Sequence, residues 1–265
     1  MRFTARHVRN MLLWLLAGIL PCGAVLLTMF PAAWVTPQFA RMTHGHVNLA
    51  NPEGSLWNGS ASLMLAAGPN TGGATLLPGR VEWHTAFWPL FAGRVRMRIR
   101  QTDAMPTPVT IEAGLHDTTV SAGGMGVPAS LLNGLGTPFN TLGLEGNVQL
   151  VWGTWRLYET GTFGKLDVRL DDISSRASPV RPLGSYEAVV QGQGPLAVLD
   201  LSTLKGPLLL NGHGILSRQS VSFQGTASTT QDQRDSLTGL LNLLGRPTAP
   251  GTVALTFCRG NCAVR

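Results

Sequence analysis

The first forty residues constrain this chain more than any other segment. Residues 11–30 contain no charged side chain, three arginines (Arg2, Arg6 and Arg9) precede them, and the next basic residue is Arg41. A helix of about 20 apolar residues crosses the ~30 Å hydrocarbon core of a membrane, and arginines on one flank keep that flank in the cytoplasm. We therefore predict a cytoplasmic N-terminus at 1–10, a transmembrane helix at 11–35 and a domain outside the cytoplasm at 36–265.

A cleaved signal peptide is the alternative interpretation of the same segment, since it also combines a basic start with an apolar run. The apolar run of a signal peptide spans about 7–15 residues, and the run here is longer. Pro31, Ala32 and Ala33 form a poor small-residue cleavage site. The length therefore favours an anchor that stays attached.

The composition of the exported part favours short strands over long helices. The chain has 32 glycines and 17 prolines, only 13% charged residues, and just two lysines, Lys165 and Lys205. Without the three N-terminal arginines, the chain has 17 basic and 14 acidic residues. The exported part therefore carries only a small net positive charge. No segment interleaves clustered basic residues with aromatic ones, and nucleic acid is therefore not an expected partner.

Residues 94–100 show the clearest alternation in the sequence. Val95, Met97 and Ile99 would point inward from one face of a strand and be buried, and the other face would carry four arginines, namely Arg94, Arg96, Arg98 and Arg100. A period of two is typical of a strand with one buried face. We predict that the arginine face is exposed to solvent; an acidic partner or phospholipid headgroups are the alternative.

Less strict alternation predicts ten further strands, which turn residues separate: 56–65, 109–115, 142–150, 155–160, 165–170, 186–190, 196–201, 208–215, 220–226 and 252–257. This spacing favours an antiparallel, strongly twisted or folded-over sheet. A short helix or turn is predicted at 36–46, and two short helices at 128–135 and 231–244. The apolar stripe of the last helix would cap one end of the sheet, or else dock on a partner or on the membrane surface.

No motif for catalysis, for phosphate binding or for a dinucleotide is present, so we predict no enzymatic activity, no cofactor and no metal. His44 and His46 lack the further ligands that zinc requires. Asp167, Asp171 and Asp172 could form an acidic site, but a solvated turn is the favoured interpretation.

The cysteines are compatible with an oxidising compartment. Cys22 lies in the apolar run, and Cys258 and Cys262 lie four residues apart near the C-terminus. Outside the cytoplasm this pair is predicted to form a disulfide that closes a small loop. Metal binding and a redox pair remain the alternatives.

Three segments carry a resemblance to a known family: Gly-Ser-Leu-Trp-Asn-Gly-Ser-Ala at 54–61, the stretch at 170–186, and Lys-Gly-Pro-Leu-Leu-Leu-Asn-Gly-His-Gly at 205–214. With the N-terminal anchor, their order resembles protein N of the type II (general) secretion pathway. The resemblance implies a single-span protein of the bacterial inner membrane with a periplasmic domain. It also implies an accessory role, through contacts with other inner-membrane platform subunits, in moving folded periplasmic proteins across the outer membrane, and it supplies no catalytic residues.

The Gly-x-Leu-Trp-x-Gly segment also resembles strand turns of AsmA-like envelope proteins. That resemblance implies an alternative function, in which an apolar groove of the sheet binds or bridges lipid.

Overall fold

The computed structural model describes residues 29–34, 36–66, 74–135, 139–217 and 219–260. The predicted N-terminus at 1–10 and residues 11–28 of the predicted span lie outside this part, as do Cys22 and Cys262. Near the end of the predicted span, Pro31 forms a β-bridge with Ser55, and Ala32–Trp34 form a 3₁₀ helix that contacts the strand Val47–Gly54. Within the described residues, no helix has the length and apolar character to cross a membrane.

The described chain folds mainly into β-structure. Its strands are β1 (Val47–Gly54), β2 (Asn58–Leu65), β3 (Thr75–Leu76), β4 (Val81–Ala86), β5 (Val95–Gln101), β6 (Val109–Ala113), β7 (Asp117–Val120), β8 (Gly123–Pro128), β9 (Leu144–Trp152), β10 (Trp155–Tyr158), β11 (Gly161–Ser175), β12 (Gly184–Gly194), β13 (Leu196–Lys205), β14 (Leu208–Ser217), β15 (Ser220–Thr229), β16 (Arg246–Ala249) and β17 (Thr252–Gly260). The α-helices are α1 (Thr36–Met42), α2 (Phe139–Leu142) and α3 (Arg234–Leu244). Short 3₁₀ helices lie at Ala32–Trp34, Trp88–Ala92, Ala129–Leu135 and Gln231–Gln233.

The 17 strands form one sheet in which the described pairings are antiparallel. From β1 the pairing runs through β2, β4, β5, β6 and β7 to β10. Strands β10 and β9 pair with successive parts of the same edge of β11, and β8 pairs with β9. From β11 the sheet continues through β12, β13, β14 and β15 to β17 and β16. The prediction of a mainly β, antiparallel domain is thereby confirmed.

Strand β11 contains a bulge. The register with β12 shifts between Leu170 and Ile173, and Asp172 has a φ of 50°. A bulge inserts an extra residue and bends the strand. The prediction of a solvated turn at Asp171 and Asp172 is therefore wrong, because the strand continues past them to Ser175.

The main core lies between the sheet and helix α3. Leu237, Leu240 and Leu241 are buried, and α3 contacts β15, β16 and β17. These leucines belong to one cluster with Leu208 and Val253 of the sheet. The apolar stripe predicted at 231–244 thus packs on the sheet, as expected for a helix that buries one face.

Tyr186 brings a polar hydroxyl into this core cluster. Its hydroxyl donates to the carbonyl oxygen of Leu208 at 3.1 Å, and burial raises the pKa of Tyr186. This hydrogen bond lets the ring pack in the core without an unpaired polar group.

The helices predicted at 36–46 and 128–135 also lie where they were expected. Helix α1 occupies the first part of 36–46, and the segment predicted at 128–135 forms a 3₁₀ helix.

Candidate apolar cavity

A cavity of about 360 Å³ lies in the N-terminal half of the sheet. Its volume falls within the range of about 300–1,000 Å³ that small-molecule sites occupy. Fifteen residues line it, and all but two of them are apolar: Ala32, Thr36, Phe39, Leu49, Leu56, Leu63, Leu77, Val81, Trp83, Met97, Ile99, Gln101, Met105, Met125 and Trp152.

Strand alternation supplies most of this lining. Val81 and Trp83 of β4, and Met97 and Ile99 of β5, are two residues apart, so each pair shares one face of its strand. The register sets Trp83 directly opposite Ile99. The cavity is therefore built on the face of β5 that is opposite to the arginines.

The end of the predicted span and helix α1 together form one wall of the cavity. Ala32, Thr36 and Phe39 line it, and Ala32 is almost completely buried. Helix α1 contacts β1, which holds this segment against the sheet. The cavity thus lies directly beside the point at which the chain enters the domain.

Gln101 is a fully buried polar residue in the lining. Its side-chain nitrogen donates to the carbonyl oxygen of Pro78 at 2.5 Å, and its side-chain oxygen accepts from the backbone N–H of Ala104. Because both ends of the amide are paired inside the protein, Gln101 does not require a polar ligand.

The two tryptophans of the lining are paired in the same way. The indole N–H of Trp83 donates to the carbonyl oxygen of Ser55 at 3.1 Å, and that of Trp152 donates to Ser121 at 3.0 Å. The rings therefore present carbon to the cavity, which suits an apolar ligand.

The predicted arginine face is exposed, as expected: Arg94, Arg96, Arg98 and Arg100. Arg96 forms a salt bridge of 2.8 Å with Glu112 on the neighbouring strand β6, and Arg94 one of 3.2 Å with Asp117. Within the part of the chain that the structure describes, Arg98 and Arg100 form no salt bridge. The register sets Glu82 opposite Arg100, whereas Arg98 lies opposite His84 and Thr110. Arg98 is therefore the arginine of β5 without an acidic residue directly opposite it on a neighbouring strand.

The expectation that Val95 is buried is wrong. Its side chain is 38% exposed, whereas Met97 and Ile99 line the cavity. Val95 is the first residue of β5 and does not line the cavity. Alternation therefore places Val95 on the same face as Met97 and Ile99, but it does not predict whether the residue is buried.

The three aspartates of the candidate acidic site do not come together. Each pairs with a different cation: Asp167 with Lys165 at 2.8 Å, Asp171 with Arg169 at 3.0 Å, and Asp172 with Lys205 at 2.9 Å. The hydrogen bond and the charge of Lys205 hold the pKa of Asp172 below its usual value. These residues form surface ion pairs along and across strands, which contribute little to stability.

The two candidate histidine ligands lie at the start of the sheet. His44 occupies a turn with a φ of 52°, and the Nδ1 atom of His46 lies 3.2 Å from the carbonyl oxygen of Ala66. Among the residues described, no group of three or more His, Cys, Asp or Glu side chains is placed to hold a metal ion.

Cys258 lies on β17, opposite Ser222 of β15. Because Cys262 is outside the described residues, its predicted pairing with Cys258 stays a prediction.

The described chain is an antiparallel β protein whose single sheet lines an apolar cavity. The family model for type II secretion system (T2SS), protein N, matches residues 45–256, which is most of the chain. The chain therefore belongs to this family, and the resemblance found in its sequence is confirmed. Searches of curated proteins and of solved structures find no match.

Proposed function

We propose that this chain is an accessory component of the type II secretion system in the bacterial inner membrane, anchored by the apolar run at residues 11–30 with its β domain in the periplasm. It supports the transport of folded periplasmic proteins across the outer membrane by assembling with other inner-membrane subunits, and it catalyses no reaction. The family match over 45–256 is the observation that carries this proposal, since it spans nearly the whole described sheet.

The edges of the sheet indicate how a partner would bind. Strand β16 is four exposed residues long and contains Pro247, and β1 contains Pro52 and a register shift between Ala50 and Glu53. Proline and bulges hinder the addition of a further strand. Partner contacts are therefore proposed on the faces of the sheet and not along β1 or β16.

The outer face of β5 is the surface that best suits an acidic partner. Arg98 is exposed there, forms no salt bridge among the described residues and has no acidic residue opposite it on β4 or β6. Complementary charge speeds encounter and fixes orientation, and such contacts weaken as salt rises.

Site-specific cross-linking in intact membranes tests this proposal. A photoreactive residue would replace Arg98 in the full chain, with the same replacement at Thr248 of the exposed edge strand β16 as the matched control. We expect Arg98 to yield cross-links to other type II secretion inner-membrane subunits and Thr248 to yield few. Equal yields would reject the β5 face, and products without any secretion subunit would reject the assembly role.

The cavity favours a second candidate function, the binding of a lipid acyl chain. Its lining presents carbon, its buried polar atoms are already paired, and its wall continues into the predicted anchor. Burial of each methylene group contributes about 0.8 kcal/mol, so an acyl chain in this cavity would gain a favourable hydrophobic contribution.

A further inference from the structure

The chain enters the described domain without a linker. The carbonyl oxygen of Phe30, the last residue of the apolar run 11–30, accepts from the backbone N–H of Leu56 at 2.9 Å. The next residue, Pro31, forms a β-bridge with Ser55. The end of the apolar run is therefore fixed beside the turn that joins β1 to β2.

An exposed group of aromatic rings lies next to this entry point. Trp57 of the same turn contacts Phe87 with ring centroids 5.2 Å apart, and Phe87 contacts Phe91 at 5.5 Å. Trp88 packs against Phe91 at 5.9 Å. We call these four residues the aromatic cluster.

The aromatic cluster extends into solvent on the hairpin that joins β4 to β5. Trp88 is 81% exposed and Phe91 is 74% exposed. Gly93 closes the 3₁₀ helix of this hairpin with a φ of 68°, a conformation that favours glycine. A large exposed apolar group on an ordered turn commonly marks a binding surface.

A second apolar hairpin tip lies at the same end of the sheet. Leu115, in the turn between β6 and β7, is 84% exposed. The register pairs Val95 with Ala113, so the turn of Leu115 lies beside the hairpin of the aromatic cluster. The salt bridge between Arg94 and Asp117 links the two hairpins.

We propose that this end of the sheet rests on the membrane, with Trp88, Phe91 and Leu115 inserted in the interfacial layer of the bilayer that residues 11–30 cross. The inference rests on the proposed anchor. Because Pro31 is already bound to the sheet, the domain has no linker that would let it stand away from the bilayer. Tryptophan is enriched at the membrane interface, and apolar side chains bury there on peripheral surfaces.

Contact of this end of the sheet with the membrane would also set the position of the cavity relative to the bilayer. Leu56, whose N–H binds Phe30, lines the cavity together with Ala32. A domain held in this orientation would bring the apolar cavity close to the acyl chains of the outer leaflet of the inner membrane.

The test uses the full chain reconstituted in vesicles of phosphatidylethanolamine and phosphatidylglycerol. In a Cys22→Ser background, an environment-sensitive fluorophore would be attached at Phe91→Cys or Leu115→Cys, and emission measured with and without nitroxide-labelled lipids. Leu243→Cys is the matched control, since Leu243 is 58% exposed on α3. Helix α3 follows the last residues of β15, which pair with the start of β14 at the end of the sheet opposite to Leu115. The parent without an added cysteine reports labelling of Cys258 and Cys262.

We expect blue-shifted emission and loss of most of the signal to the lipid quencher at positions 91 and 115, with little change at position 243. Quenching at position 91 as weak as at position 243 would overturn the proposal. A blue shift without quenching by lipid would also overturn it, because that result indicates a protein contact. Resistance to carbonate extraction, measured on the same samples, shows separately whether the anchor is present.

Discussion

Ile99→Asp is expected to destabilise the domain by about 3 kcal/mol or more, because it introduces an unpaired carboxylate into an apolar cavity. Ile99 lies opposite Trp83, and within the described chain the nearest polar lining residue on its strand, Gln101, already has both ends of its amide paired. The full chain in detergent would be unfolded with urea and followed by circular dichroism.

Val95→Asp is the matched control on the same face of the same strand. Because Val95 is 38% exposed, the new carboxylate reaches water and the expected loss is about 1 kcal/mol or less. Ile99→Val, which removes one methyl group, should cost about 0.5–1.5 kcal/mol and separates lost packing from added charge. Equal losses for the two aspartate variants would show that the cavity is not apolar or that β5 is placed wrongly.

Leu63→Trp is expected to abolish retention of lipid, because the indole ring occupies space in the cavity that an acyl chain would need. Leu63 lines the cavity from β2, and most of the lining around it is carbon. Native mass spectrometry of the full chain released from detergent would count the bound lipid, and wild type is expected to retain it.

The control is Leu157→Trp on β10, which makes the same change at an exposed position outside the cavity lining. This variant should retain lipid as wild type does. If wild type carries no lipid, or if both tryptophan variants retain it equally, the lipid-binding candidate fails while the assembly role stands.

The cavity and the proposed membrane contact share the entry segment. Ala32 and Thr36 line the cavity, and Phe30 two residues earlier is bound to Leu56. If both inferences hold, the cavity lies close to the acyl chains of the bilayer.

Alternation in the sequence predicts the strands whose two faces differ most. The arginine face and the cavity face of β5 follow directly from residues 94–100, and the leucine stripe at 231–244 predicts helix α3. In both segments one face is polar and the other packs on the protein, so the period is visible in the sequence.

Some other elements could not be predicted from the sequence pattern, for physical reasons that the structure shows. Pro52 and the register shift interrupt the pattern of β1, although Val81, Trp83 and Thr85 of β4 do alternate and carried a signal that was missed. The two aspartates of the bulge in β11 resemble a turn, because each favours turn conformations.

The cavity itself could not be predicted from sequence. Its lining combines Ala32, residues of β2, β4 and β5, and Trp152 of β9, which are brought together only by the pairing of distant strands. Local periodicity predicts on which face of its strand a side chain lies, but not which distant residues that face contacts.

The central claim, an assembly role in type II secretion, is tested most directly by release of a reporter exoprotein into the medium from a strain that lacks this chain. The strain would be complemented with the full chain, with a chain whose residues 11–30 are replaced by a cleavable signal sequence, or with single alanine variants at polar positions. These positions are His44, His46, His84, His116, His213, Asp167, Asp171 and Asp172.

The account predicts that the full chain and each alanine variant restore release. The anchorless chain should release much less reporter, since loss of the tether removes a gain in apparent affinity for membrane partners of about 10²–10⁴-fold. Unimpaired release without the chain, or a single alanine change that stops release at normal protein level and fold, would contradict the account.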